Sequence, residues 1–203
     1  MIRVSDEDGL RQITIDRQDK ANSLTEDMLA QLCEAVESGG AMPALLLTGA
    51  GSVFSAGADL EAARAGLALS PLWERLSGAI AGFPGISIAA LNGTVAGGAM
   101  GMILACDLRL AVPGAKLFYP VMKLGFLPQP SDPPRLSALV GPARAKMILM
   151  AGQKIPADEA RTWGLIDRIV EPANLLPEAR TLAADTIAAV PAHAQAIKAM
   201  LRR

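Results

Sequence analysis

Apolar and polar positions alternate from Leu10 to Asp16, the period of a strand buried on one face. Three shorter apolar runs follow: Ala44–Thr48 (ALLLT), Ile86–Leu91 (ISIAAL) and Asp107–Val112 (DLRLAV). They close on Gly49, Asn92-Gly93 and Pro113-Gly114, which predicts strands buried on both faces. Between the runs the period is helical. Ser23 and Glu26 read as a capping box ahead of a face made by Met28, Leu29, Leu32, Cys33 and Val36. Trp73, Leu76, Ile80 and Phe83 form a second stripe, and Gly97–Ala105 reads as a helix opening at a glycine pair. Further helices are expected over Ala143–Met150 and Ala157–Trp163, with Pro142 and Pro156 at their starts, and over 174–189 and 192–203. Strands alternating with helices predict an α/β fold with a largely parallel sheet. The expected division is a body over residues 1–170 and a helical C-terminal segment over 171–203.

Composition narrows the function. Of 203 residues 51% are hydrophobic, 19% charged and 3% aromatic, which excludes a disordered chain and requires a core of aliphatic side chains and glycine. A net charge of −1 leaves no basic excess for a nucleic-acid backbone, so no nucleic-acid partner is expected. No run reaches eighteen apolar residues and the N-terminus MIRVSDEDGLRQ is polar and acidic, so neither a membrane span nor a leader is expected. Cys33 and Cys106 lie in apolar segments and read as buried free thiols. The setting expected by default is cytoplasmic.

Two segments after strands are rich in small residues: TGAGSVFSAGADL (48–60) and NGTVAGGAMG (92–101). Neither has the spacing of a dinucleotide fingerprint or of a phosphate-binding P-loop, which leaves a Rossmann-type oxidoreductase without its motif. Glycines there serve either close packing of helix on strand or close approach of backbone N–H groups to a ligand oxygen. No His or Cys cluster has metal-ligand spacing, and the lone histidine, His193, stands far from both segments.

These segments, in order with Arg17-Gln18-Asp19-Lys20-Ala21-Asn22-Ser23-Leu24, IAALNGTVAGGAMGMILACDLRLA, Lys123–Pro128, Arg135-Leu136, Leu139-Val140-Gly141 and Ala160–Gly164, resemble the crotonase superfamily, the enoyl-CoA hydratase/isomerase family. The resemblance runs from about residue 10 to about residue 170. It implies a spiral of ββα units with surrounding helices, a homotrimer or a hexamer, and an acyl-CoA thioester as substrate, with CoA carried on the substrate and no separate cofactor or metal. It implies lyase or isomerase chemistry of the kind used in fatty acid metabolism, through an enolate whose oxygen is held by backbone N–H groups. By position those belong to Ala58 and Gly98, with Gly97 beside them. Lys20, Ala21 and Ala56 would lie along the CoA nucleotide. Asp59 and Asp107 read as structural, and Glu61 and Arg64 as a solvated helix face.

The chain departs from the family's acid–base pattern. The two glutamates that hydratases use fall at Gly101 and at Val121, in the pair Pro120-Val121. Neither residue can move a proton. Asp132, in QPSDPP, is the candidate replacement, and equally a helix N-cap before Pro133-Pro134. Tyr119, the only tyrosine, is placed two residues before Val121 and is a candidate substrate contact. Two readings stay open: an acyl-CoA enzyme with non-standard acid–base residues, and a non-catalytic acyl-CoA-binding or assembly subunit. Family members usually run on for about two more helices past Arg203.

Overall fold

The computed structural model describes residues 1–201. Its strands are β1 (Ile2–Glu7), β2 (Leu10–Ile15), β3 (Ala44–Gly49), β4 (Val53–Ser55), β5 (Ile86–Leu91), β6 (Thr94–Ala96), β7 (Leu108–Ala111), β8 (Lys116–Phe118), β9 (Ile155–Pro156) and β10 (Arg168–Ile169). The helices are α1 (Glu26–Glu37), α2 (Leu60–Arg64), α3 (Leu72–Gly82), α4 (Ala99–Ala105) and α5 (Val121–Leu124). They continue as α6 (Asp132–Val140), α7 (Pro142–Leu149), α8 (Ala157–Trp163), α9 (Leu175–Ala188) and α10 (Pro191–Leu201).

Two sheets organise the fold. One has the order β1-β2-β3-β5-β7-β10 and is parallel from β2 onward; the other runs β4-β6-β8-β9, parallel except for its last pair. Three successive units share one plan: a strand in the first sheet (β3, β5, β7), a short strand in the second (β4, β6, β8), then a helix. This is the ββα arrangement that the resemblance implies. Because β4, β6 and β8 lie side by side, the three strand-to-helix connections leave the second sheet next to one another. One continuous core lies under both sheets, with Phe54, Leu45, Leu46, Ile88 and Leu91 fully buried and the stripe Trp73, Leu76, Ile80, Phe83 packed into it. Every residue of α4 is buried, which explains why a helix can be apolar all round here. Leu175, Ala179 and Ala183 of α9 bury into the same core.

Several expectations change. The capping box is absent: Thr25 is the N-cap and its hydroxyl accepts from Met28 N–H at 3.3 Å, while Ser23 receives the Arg17 guanidinium. The polar N-terminus, for which no element was expected, is strand β1, paired antiparallel with β2 through an Asp8-Gly9 turn whose two residues have φ of 50° and 79°. Five of its six residues are exposed, so an edge strand left no apolar alternation to read. The helix expected from Gly97 starts at Ala99. Of the last helix expected over 192–203, residues 202 and 203 lie outside the described residues. Cys33 and Cys106 are free and buried, as read.

Candidate functional site

The connection after β4 begins with a clamp made far away in sequence. Asn22, fully buried with φ of 54°, accepts from Arg17 N–H at 2.8 Å and donates to the carbonyls of Ala50 (2.9 Å) and Val53 (2.6 Å). The buried Ser55 hydroxyl donates to Asn22 O at 2.8 Å and accepts from Gly57 N–H at 3.1 Å. Ala21, exposed and also at positive φ, offers its carbonyl to Ala56 N–H at 3.0 Å. Asp59 then caps α2, accepting from Glu61 and Ala62 N–H, and holds Arg17 at 2.8 Å. That pair keeps the Asp59 carboxyl below its ordinary range, chiefly through the Arg17 bond. Asp59 is structural, as read.

Residues 24 and 58 form a parallel bridge in which Leu24 N–H donates to Gly57 O and Asp59 N–H donates to Leu24 O, both at 2.8 Å. Ala58 itself takes no part in that bonding, so its N–H faces the other way. Among the described residues neither the Ala58 nor the Gly98 N–H has an intramolecular partner. Gly57 brings the two connections together. It has φ of 85°, and a Cβ there would lie 2.6 Å from Ala96 O and 3.2 Å from both Gly97 Cα and Gly98 N. Only glycine lets these backbones touch. Gly97 N–H donates to Phe118 O at 3.2 Å, which extends the β6–β8 ladder and sets Tyr119 beside the glycine pair.

A cavity of about 280 Å³ lies where the three connections meet. Ala58, Gly97, Gly98, Trp73, Tyr119 and Val121 are among its lining residues. Trp73 presses on Gly98, its ring atoms 2.9 Å from where a Cβ would be, and its indole N–H donates to Leu67 O at 2.8 Å. A second, more polar cavity of about 660 Å³ shares Ala56, Ala58 and Leu60 with the first and is lined also by Lys20, Arg17 and Glu61. Lys20, Ala56 and Ala58 are thus brought together; Ala21 backs Ala56 from behind. Glu61 and Arg64 are exposed on α2, and His193 is exposed on α10. Asp107 accepts from Ser87 N–H and Oγ and from Lys198, the structural role expected of it.

Asp132 does not cap α6. The N-cap is Ser131, and Asp132 is the first helical residue, 1% exposed. Its Oδ2 accepts from the Tyr119 hydroxyl at 2.9 Å, and its Oδ1 has no partner. Burial pushes its carboxyl up to about 6, against the opposing pull of the Tyr119 bond and of Arg135. Burial and the neighbouring carboxylate raise the Tyr119 phenol well above its usual range. Sequence reading missed Trp73 as a cavity wall, since a helical stripe marks core and wall alike. It also missed the Asn22 and Ser55 clamp, whose partners are some thirty residues distant in the chain.

The repeated ββα units, with a small cavity where their connections meet, set the class of fold. The family profile described as enoyl-CoA hydratase/isomerase matches residues 5–203, and the chain belongs to that family. It is 34% identical over 186 residues to a crotonyl-CoA hydratase of Syntrophomonas wolfei, an alignment covering 87% of this chain and 72% of that protein. A 4-chlorobenzoyl coenzyme A dehalogenase of Arthrobacter is 33% identical over 208 residues, 97% of this chain and 75% of its own length. The crystal structure of an enoyl-CoA hydratase from Bacillus anthracis superposes with a TM-score of 0.89 at 30% identity, covering 97% of this chain and 80% of that one.

Proposed function

We propose that the protein is an enzyme that binds an acyl-CoA thioester and stabilises its enolate with the N–H groups of Ala58 and Gly98. The observation that carries this reading is the pair of unengaged N–H groups, from two clamped connections, lining one cavity. Fixed donors at a developing oxyanion are worth about 3–4 kcal/mol each in mutational tests. The family membership supports a thioester ligand, and the relatives' names include a hydratase and a dehalogenase. The thioester's acyl part would fill the cavity of about 280 Å³ and its CoA part the polar cavity beside Lys20 and Ala56. CoA comes as part of the substrate, and no separate cofactor is proposed. Gly101 and Val121 stand where hydratases of the family carry glutamates, so ordinary hydration is not the reaction proposed. Asp132 is the carboxyl group assigned to acid–base work. The active form proposed is a homotrimer or hexamer in the cytoplasm.

A second reading, a non-catalytic acyl-CoA-binding subunit, is favoured by one observation: no residue lining the smaller cavity carries a carboxylate. Calorimetry with short-chain acyl-CoA thioesters, followed by turnover of 2-enoyl- and 3-enoyl-CoA, separates the two. Binding with turnover of either class is expected. Binding without turnover of any thioester would establish the second reading, and failure to bind any of them would end both.

A further inference from the structure

Position 101 and position 132 occupy the same space. A Cβ built on Gly101 would lie 2.8 Å from Asp132 Oδ1 and 3.0 Å from Oδ2. The carboxylate of Asp132, on α6, therefore fills the volume that a side chain at 101, on α4, would take. A side chain at 101 and the carboxylate of Asp132 thus exclude one another in this packing.

That carboxylate does not reach the cavity by itself. Asp132 is 1% exposed and does not line it; Oδ1 lies against Gly101 and Oδ2 is covered by the Tyr119 hydroxyl. Tyr119 does line the cavity, together with Ala58 and Gly98. Among the residues lining it, Tyr119 is the one with an ionisable side chain; Trp73 and Gln129 carry the other polar groups, and both donate to main-chain carbonyls. The titratable groups packed around Asp132 are Tyr119, Glu74 of α3, which receives the Ser131 hydroxyl, and Arg135 one turn along α6. None comes from α4. The Arg135 Nη1 is buried without a partner and lowers the cost of charge on Asp132.

We infer that Tyr119 is the catalytic acid–base group and that Asp132 acts through it, an inference resting on the acyl-CoA reading above. The phenolic oxygen takes a proton from the α-carbon of the bound thioester while its own proton passes to Asp132 Oδ2. The α C–H bond breaks, its electron pair moves into the enolate whose oxygen is held by Ala58 and Gly98, and one proton ends on Asp132. Reversal through Tyr119 returns the proton to the α-carbon, or to the γ-carbon of a 3-enoyl thioester, which gives the 2-enoyl isomer.

The test is exchange of α-protons of 3-butenoyl-CoA in D₂O, followed by NMR on the full chain, with thioester affinity measured alongside. Tyr119→Phe is expected to slow exchange by about 100-fold or more, the usual worth of a positioned acid–base group, with affinity changed less than about 3-fold. Asp132→Asn is expected to slow exchange and to remove the inflection near pH 6 from the rate profile, which a purely structural residue would not do. Gly101→Ala keeps both groups but displaces the carboxylate, and is expected to slow exchange as well. Exchange at the wild-type rate in folded Tyr119→Phe overturns the inference, as does an unchanged inflection in Asp132→Asn. Binding by wild type without exchange overturns it too, while leaving a thioester-binding protein. No binding at all removes the acyl-CoA reading itself.

Discussion

The two sides of the smaller cavity are made of different material. On one side stand Ala58 and Gly98, whose N–H groups have no partner among the described residues, held by Asn22, Ser55 and the contact at Gly57. On the other, Tyr119 presents a side chain, fixed by a carboxylate from α6. The small residues on this side are required where backbone meets backbone, as at Gly57. The side-chain wall depends on one carboxylate from α6, which stands against Gly101 of α4. The difference teaches that, under the proposed function, the groups that bind the carbonyl and the group that handles the proton rest on separate parts of the fold.

The backbone side breaks most sharply at Gly98. Gly98→Pro removes the N–H, but any Cβ there also meets Trp73 at 2.9 Å, so Gly98→Ala is the control that keeps the donor and makes the same contact. Relative to Gly98→Ala, Gly98→Pro is expected to lower turnover by about 10²–10³-fold. Equal turnover in steady-state assays of the two variants would show that the donor is not used.

The clamp beneath that side is next. Asn22→Ala removes three hydrogen bonds and leaves the Arg17 N–H and the Ala50 carbonyl in need of partners, while the Val53 carbonyl keeps the Asn92 amide at 3.1 Å. A loss of roughly 2–3 kcal/mol in urea unfolding is expected, with turnover falling further than the stability loss explains.

The side-chain wall is sharpened by pH. The Asp132 carboxyl titrates near 6 in the folded protein against an ordinary 3.8, so the native state binds the extra proton between those values. Its contribution to stability is full below about pH 4 and is lost as pH rises through 6. Asp132→Asn removes that titration. Its stability relative to wild type is expected to improve by on the order of 2 kcal/mol between pH 4 and pH 7 and to stay level above. Urea midpoints across that range check it, and a flat difference would mean the carboxylate is well accommodated when charged.

The sequence made the backbone side readable because its information is local. Strand runs such as Ile86–Leu91 and the small-residue stretches after them carry the resemblance to the family, and that resemblance, not the spacing, implies Ala58 and Gly98 as donors. What it concealed was tertiary. Strand β1 is exposed at an edge and carries no apolar alternation. Strands β4, β6 and β8 have three residues each, too short for a period. Asp132 before Pro-Pro carried the local signal of an N-cap, and only the packing of α6 on α4 turns its carboxyl toward Tyr119. The glycine at 101 reads as a simple absence until the place its Cβ would take is seen against that carboxylate.

The central claim is that the Ala58 and Gly98 N–H groups polarise a thioester carbonyl. Isotope-edited infrared spectroscopy of a bound acyl-CoA labelled with ¹³C at the thioester carbonyl measures this without requiring turnover. A carbonyl stretch shifted to lower frequency than that of the same thioester in water, and shifted back in Gly98→Pro, is the expected result. A bound thioester with the frequency it has in water would contradict the claim.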